Sequence, residues 1–180
     1  MRTVDLDTIK LMAGVHAPNG TFCAMELAAY IAEEPWSDHP QCVSPVIAAF
    51  MRSWNDALDD DSRQMLKPYV LKSINTRRTE DDEICRAWMA TDWLARECAP
   101  AFLRLAGLTT HAEALEKLVA LSGEREAVAA QPLLNAARAA ACDAARDVLQ
   151  PTVKILQASA LLLLDRMVDV TANKGETARL

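Results

Sequence analysis

The feature that most constrains the fold is that no segment alternates apolar and polar residues for long enough to form a β-strand. Alanine and leucine supply 54 of the 180 residues, whereas glycine supplies only 5. Alanine and leucine favour helices, and so few glycines leave little material for hairpins, phosphate-binding loops or dinucleotide turns. The sequence therefore predicts an all-α fold with six to eight helices in an orthogonal or bundle-like array.

Capping residues and prolines predict where several of these helices begin and end. We expect Thr21 to cap the first helix, and Ser44 to cap a second helix that has a proline at its first position. A short third helix is expected to end before Pro68, because proline usually interrupts a helix, and a loop should follow it. Thr79 and Asp82 have the spacing of a capping box, which predicts the start of a long helix.

The chain has the length of one domain with a helical extension. We expect a helical core over residues 1–125, a C-terminal helical pair over 126–172 and a frayed tail over 173–180. Within the pair, residues 136–145 are rich in alanine and residues 155–164 are apolar all round, so both segments need burial. We therefore expect these helices to pack on the core, on a protein partner or on a second copy in a homodimer.

Charge and cysteine content narrow the environment and the partners that we expect. The net charge of −6 argues against a broad nucleic-acid-binding surface. The five cysteines are an odd number, and the first ten residues lack the apolar stretch of a secretory signal, so a reducing cytoplasm is expected. The longest apolar run is ten residues, which is too short to cross a membrane.

Four residues that commonly bind metal ions lie close together near the N-terminus. The gap of two residues between His39 and Cys42 allows both side chains to bind one ion from a tight turn. Cys23 is expected at the start of a helix, where the dipole favours the thiolate, and His16 precedes it across a loop rich in turn residues. The sequence predicts a structural zinc site formed by His16, Cys23, His39 and Cys42 in a small helical protein that binds a protein partner.

Three other interpretations of the same region stay open. In the first, the chain is a cysteine-dependent enzyme for a small substrate, with Cys23 as nucleophile, His39 as base, Asp38 orienting it and Glu26 as acid or base. In the second, all of these residues have only structural roles. In the third, the acidic chain is a decoy that mimics nucleic acid, although −6 is a modest charge for that role.

The region from Cys23 to Asp56 also carries a longer pattern, C-x-M-E … D-H-P-x-C … S-P-V … R-x-W-N-D. In this pattern the chain resembles a family of uncharacterised small helical bacterial proteins, over about residues 10–105. The family has a glycine where this chain has Glu33, and it has no activity to carry over. The matching positions are His16, Cys23, Met25, Glu26, Asp38, His39, Pro40, Cys42, Ser44, Pro45, Arg52, Trp54, Asn55 and Asp56.

Arg52, Asn55 and Asp56 occupy adjacent turns of the second predicted helix. Such a group can be a solvated face with local ion pairs or can line a polar pocket. The resemblance implies that this face and the Cys/His residues belong to one shared constellation.

Overall fold

The structure is a computed structural model, and it describes residues 1–18, 20–141 and 150–170. In these ranges we observe seven helices and no strand, which confirms the predicted all-α class of six to eight helices. An isolated β-bridge joins Leu11 and Phe22. The helices are α1 (Ala24–Ala32), α2 (Pro45–Ala57), α3 (60–73), α4 (80–105), α5 (Thr109–Glu116), α6 (Glu124–Ala141) and α7 (Gln150–Val168). Two of them are composite: α3 joins Asp60–Arg63, a 3-10 turn at Gln64–Leu66 and Lys67–Ser73, and α4 joins Glu80–Trp93, a π-helical segment at Leu94–Cys98 and Ala99–Leu105.

Helix α1 is buried along almost its whole length and packs against α2 and the last part of α3. The prediction that Thr21 caps this helix is wrong, because Cys23 is the N-cap: its backbone is extended and its Sγ accepts a hydrogen bond from the Glu26 N–H at 3.4 Å. At the other end, Glu33 adopts a φ of 64°, a left-handed conformation that glycine adopts at lower cost.

The predicted start of α2 is confirmed, whereas the predicted end of the third helix is wrong. Ser44 caps α2 by accepting a hydrogen bond from the Ile47 N–H at 3.3 Å. Helix α3 continues past Pro68 to Ser73, since Pro68 lies in the first turn of the Lys67–Ser73 segment. The 3-10 turn before Lys67–Ser73 interrupts the α-helical hydrogen bonds, so this segment begins as a new helix. A proline in the first turn of a helix has no N–H that the helix would need to bond, and Pro68 is therefore tolerated.

Helix α4 begins at the predicted capping box and contains one irregular turn. The Asp82 N–H donates to Thr79 Oγ1 and the Thr79 N–H donates to Asp82 Oδ2, both at 3.2 Å. Just before Pro100, the helix widens into its π segment, where the Ala99 N–H bonds to the Leu94 carbonyl five residues earlier. A proline has no N–H for the usual bond four residues back, which explains why the irregular turn lies here.

By spatial proximity the chain divides into two compact units. The first consists of Met1–Arg86 with the described residues from Met167 onward, and α1 lies in its core. The second consists of the described residues of Ala87–Arg166, in which α5 packs against α6 and the last part of α4. The expected core over 1–125 and helical pair over 126–172 stay predictions, and the expected frayed tail over 173–180 lies outside the described residues.

Within the first unit, a buried arginine binds the backbone at the C-terminal end of α7. Arg86 is fully buried, and its Nε donates to the Met167 carbonyl at 2.8 Å while its Nη2 donates to the Val170 carbonyl at 3.2 Å. Its Nη1 donates to Glu83 at 2.8 Å, and Glu83 also accepts a hydrogen bond from the Ser44 hydroxyl. A cation at the C-terminal end of a helix satisfies carbonyls that have no partner within that helix.

None of the helices in the described ranges combines the length and the apolarity that a membrane crossing requires.

Candidate functional site

His16, Cys23 and Glu26 form a hydrogen-bonded group at the start of α1, the N-terminal cluster. The carboxylate of Glu26 lies at its centre and is completely buried. Its Oε1 accepts a hydrogen bond from the His16 N–H at 2.6 Å. Its Oε2 accepts from the Cys23 N–H at 2.7 Å and lies 2.9 Å from the His16 Nδ1, which donates to it whenever Nδ1 carries a hydrogen. Glu26 and Cys23 thereby form a reciprocal capping box in which a cysteine takes the place of the usual serine or threonine.

A second set of hydrogen bonds holds the chain before α1 against α2 and α3. Asn55 is fully buried, accepts from the Ala24 N–H at 3.1 Å and donates to the Met12 carbonyl at 2.8 Å. The side-chain amide of Gln64 bonds to both backbone groups of Leu11, at 2.9 and 3.0 Å. The segment before α1, the N-terminal arm, is therefore fixed by two amide side chains from much later in the sequence, the buried Asn55 and the half-buried Gln64.

The face formed by Arg52, Asn55 and Asp56 is not a uniformly solvated surface. Asp56 accepts a hydrogen bond from the Gly14 N–H at 2.8 Å, and Arg52 donates to the Asp38 carbonyl at 2.9 Å. All three residues thus contact segments before or after α1, and the part of this face around Asn55 serves to position the N-terminal arm.

The position of Cys23 at the start of a helix predicts a thiolate, but its surroundings favour the protonated thiol. Its pKa is raised to about 12, chiefly by burial and also by the neighbouring Glu26 charge, and the backbone N–H groups at the helix start offset this rise only in part. The expectation that the helix dipole favours a thiolate is therefore wrong, because loss of solvation outweighs the backbone dipoles. Cys23 is suited to packing and to accepting the cap hydrogen bond.

The loop between α1 and α2 contains the other two predicted ligands. The Nδ1 of His39 lies 2.6 Å from Asp38 Oδ1, and most of the imidazole is exposed to solvent. The Cys42 N–H donates to Glu34 Oε1 at 2.7 Å. Burial and the adjacent Glu34 carboxylate raise the pKa of the Cys42 thiol.

The four predicted zinc ligands thus have three different immediate partners: Glu26 for His16 and Cys23, Asp38 for His39, and Glu34 for Cys42. In the part of the chain that the structure describes, no three His, Cys, Asp or Glu side chains form a group that could hold a metal ion. The zinc site stays a prediction, as does the catalytic set of Cys23, Glu26, Asp38 and His39.

Sequence reasoning missed several residues that build this cluster. Trp36 donates its Nε1–H to the His16 carbonyl at 2.8 Å and packs against Phe22 with ring centroids 5.2 Å apart. The C-x-x-E spacing of Cys23 and Glu26 is a local signal from which the capping box could have been found. No local signal identifies Gln64, because its partner Leu11 lies 53 residues earlier.

A second candidate surface lies on α6 and α7, in the second unit. On α7, Ile155 and Leu162 are 70% and 66% exposed. On α6, Val128 is 66% exposed and Leu133 is 41% exposed. Both helices also have a buried face, with Ala130 and Ala137 on α6, so each is apolar on two sides. Ile155 and Leu162 lie on one face of α7, whereas Val128 and Leu133 lie about 140° apart around α6. An exposed apolar patch such as the one on α7 is typical of interaction sites.

Comparison of the chain with protein-family models, with curated proteins and with solved structures finds no match. The resemblance to the family with the C-x-M-E pattern accordingly stays a prediction.

Among the four cysteines that the structure describes, we expect iodoacetamide at pH 8 to modify Cys85 first and to leave Cys23 unmodified in the native protein. Cys85 is exposed, whereas Cys23 is buried and has a pKa about four units above this pH, so its thiolate fraction is on the order of one in ten thousand. Peptide mapping of the labelled protein measures both. Addition of a chelator should change neither rate, and unfolding should expose Cys23.

Two outcomes would contradict this expectation in different ways. Rapid labelling of Cys23 without chelator would identify it as a nucleophile. Joint labelling of Cys23 and Cys42 only after chelation would identify both as metal ligands.

Proposed function

We propose that this protein is a helical interaction module, which binds another polypeptide through the exposed apolar face of α7 and exposed apolar residues of α6. In this proposal the N-terminal cluster is a hydrogen-bonded lock that holds the chain before α1 in place. The observation that carries the proposal is the exposure of Ile155 and Leu162, 70% and 66%, two turns apart on one face of a helix whose other face is buried. The hydrophobic effect favours covering such a face.

The state of the cluster supports a structural role for it. The carboxylate of Glu26 is occupied by three donors, and the thiol of Cys23 is kept protonated by burial. A nucleophilic cysteine needs a lowered pKa and access to a substrate, which Cys23 does not have. The buried, protonated thiol therefore favours the lock over an enzyme that uses Cys23, Glu26, Asp38 and His39.

A structural zinc ion at His16, Cys23, His39 and Cys42 is the competing proposal for the same region. It would fix the N-terminal arm just as the lock does, but it needs both thiols deprotonated. Burial raises the pKa of both thiols, which disfavours that state in the absence of metal. The four described cysteines are free, which agrees with a reducing compartment, and we propose the cytoplasm.

Photo-crosslinking tests the interaction surface. A photoreactive phenylalanine analogue at position 162 or 128 of the full chain, expressed in cells, should yield covalent adducts with a polypeptide. The matched control is position 119, because Val119 is 75% exposed but lies outside α6 and α7. Ile155→Lys should abolish the adduct at 162, since a charge on the same face opposes apolar contact. Equal yields at 162 and 119, or no adduct at either, would contradict the proposal.

A further inference from the structure

We infer that the partner of α7 is the α7 helix of a second copy, packed antiparallel about a two-fold axis near Ser159. This inference rests on the proposed function, since it names the polypeptide that covers one of the two exposed faces. Two independent features of the helix carry it: the order of large and small residues along the face, and the placement of two opposite charges beside it.

The exposed face of α7 is complementary to itself. Ile155, Ala158 and Leu162 are all exposed and fall within an arc of about 60° on the helix surface. Ala158 lies between Ile155 and Leu162 along the helix, and its small side chain allows the α7 helices of two copies to approach closely at this point. In an antiparallel pair, each Ile155 then lies beside the partner's Leu162. A two-fold interface requires this kind of pattern, in which one patch fits a copy of itself.

The charges next to this face fit the same arrangement. Lys154 is exposed, and it lies on the same flank of the face as Asp165, within about 20° around the helix axis. Their midpoint falls between residues 159 and 160, close to the midpoint of Ile155 and Leu162. An antiparallel two-fold pair therefore places each Lys154 level with the partner's Asp165 and forms two reciprocal contacts. Asp165 also has an interaction within its own chain, and a carboxylate can accept several donors at once.

The alternative parallel arrangement lacks this complementarity. In a parallel pair, Lys154 would be eleven residues from the partner's Asp165, or about 16 Å along the helix axis. The apolar contact contributes affinity in either orientation, whereas the charges distinguish the two orientations.

Cross-linking of introduced cysteines tests the geometry in purified full-length protein. In a background in which Cys42, Cys85, Cys98 and Cys142 are replaced by serine and only the buried Cys23 is kept, Ala158→Cys should give a covalent dimer with a bismaleimide of short linker, because residue 158 lies beside its own copy. Lys154→Cys and Asp165→Cys proteins should be linked to each other efficiently only when they are mixed. Val119→Cys, an exposed position outside α7, is the control. Equal dimer yields at 119 and 158 would overturn the inference.

Sedimentation velocity tests the association without any reagent. The wild-type chain should sediment as a dimer, and Leu162→Lys should be a monomer with unchanged helicity by circular dichroism. Lys154→Glu should weaken association on the order of tenfold, because it replaces two attractions with two repulsions. The matched control Lys117→Glu changes an exposed lysine on α5's C-terminal side, whose ion pair with Glu113 is 3.8 Å long, and should leave association unchanged.

The results separate this inference from the proposed function. A wild-type monomer at all concentrations, together with a crosslink from position 162 to a different protein in cells, would overturn the second copy and keep the interaction surface. A wild-type monomer with no crosslink at 162 or 128 would overturn both. A dimer that Leu162→Lys leaves intact would overturn the inference alone.

Discussion

Replacement of Glu26 by alanine is expected to lower the free energy of unfolding by about 3–5 kcal/mol. The change removes a buried carboxylate and leaves three donors without their acceptor, namely the N–H groups of His16 and Cys23 and the His16 imidazole. It also leaves a small cavity next to α1, which adds to the loss. Chemical denaturation followed by circular dichroism measures the difference.

Two variants serve as controls for this prediction. Glu26→Gln keeps the volume but offers only one acceptor oxygen, so its loss should be intermediate. Glu113→Ala removes an exposed carboxylate with one long surface ion pair and should cost less than about 1 kcal/mol. A loss below 1 kcal/mol for Glu26→Ala would show that the carboxylate does not hold the N-terminal arm.

Replacement of Arg86 by methionine is expected to cost a similar amount, about 3–5 kcal/mol. Methionine keeps the apolar stem, but the Met167 carbonyl, the Val170 carbonyl and the Glu83 carboxylate each lose a donor. Loss of the contact with the half-buried Glu83 becomes the most costly, since its charge is left without its opposite. Denaturation curves of the two proteins, recorded side by side, give the difference.

Arg104→Met is the matched control, because Arg104 forms a close ion pair with Glu116 at 2.6 Å but on the exposed surface. Exposed pairs contribute little, so we expect a loss of less than about 1 kcal/mol. Equal losses for the two arginines would contradict the role assigned to Arg86 at the end of α7.

The parts of the fold that the sequence predicted correctly depend on residues close together in the chain. Ser44 caps α2 through a residue three positions later, and Thr79 and Asp82 form their capping box over the same distance. Such local hydrogen bonds are specified by residue type and spacing alone. The predicted helix end before Pro68 is wrong because a proline interrupts a helix interior but is tolerated in a first turn. The spacing of residues in the sequence does not show which of the two applies.

The candidate site was harder to predict because its properties depend on burial and on distant residues. The helix-start position of Cys23 predicted a thiolate, but packing removed the solvent on which a thiolate depends. Asn55 holds Met12 from 43 residues away, and Arg86 holds the Met167 carbonyl from 81 residues away. Contacts over such separations follow from tertiary packing, which a single sequence does not encode as a local pattern.

Native mass spectrometry of the purified full-length protein tests the central claim most directly, because it reports metal content and assembly together. We expect the principal species to be two chains of 19.7 kDa each with no added metal mass, and Leu162→Lys to convert it into single metal-free chains. A wild-type chain that carries one zinc ion would contradict the hydrogen-bonded lock, and a wild-type monomer would contradict the pairing of α7 with its copy.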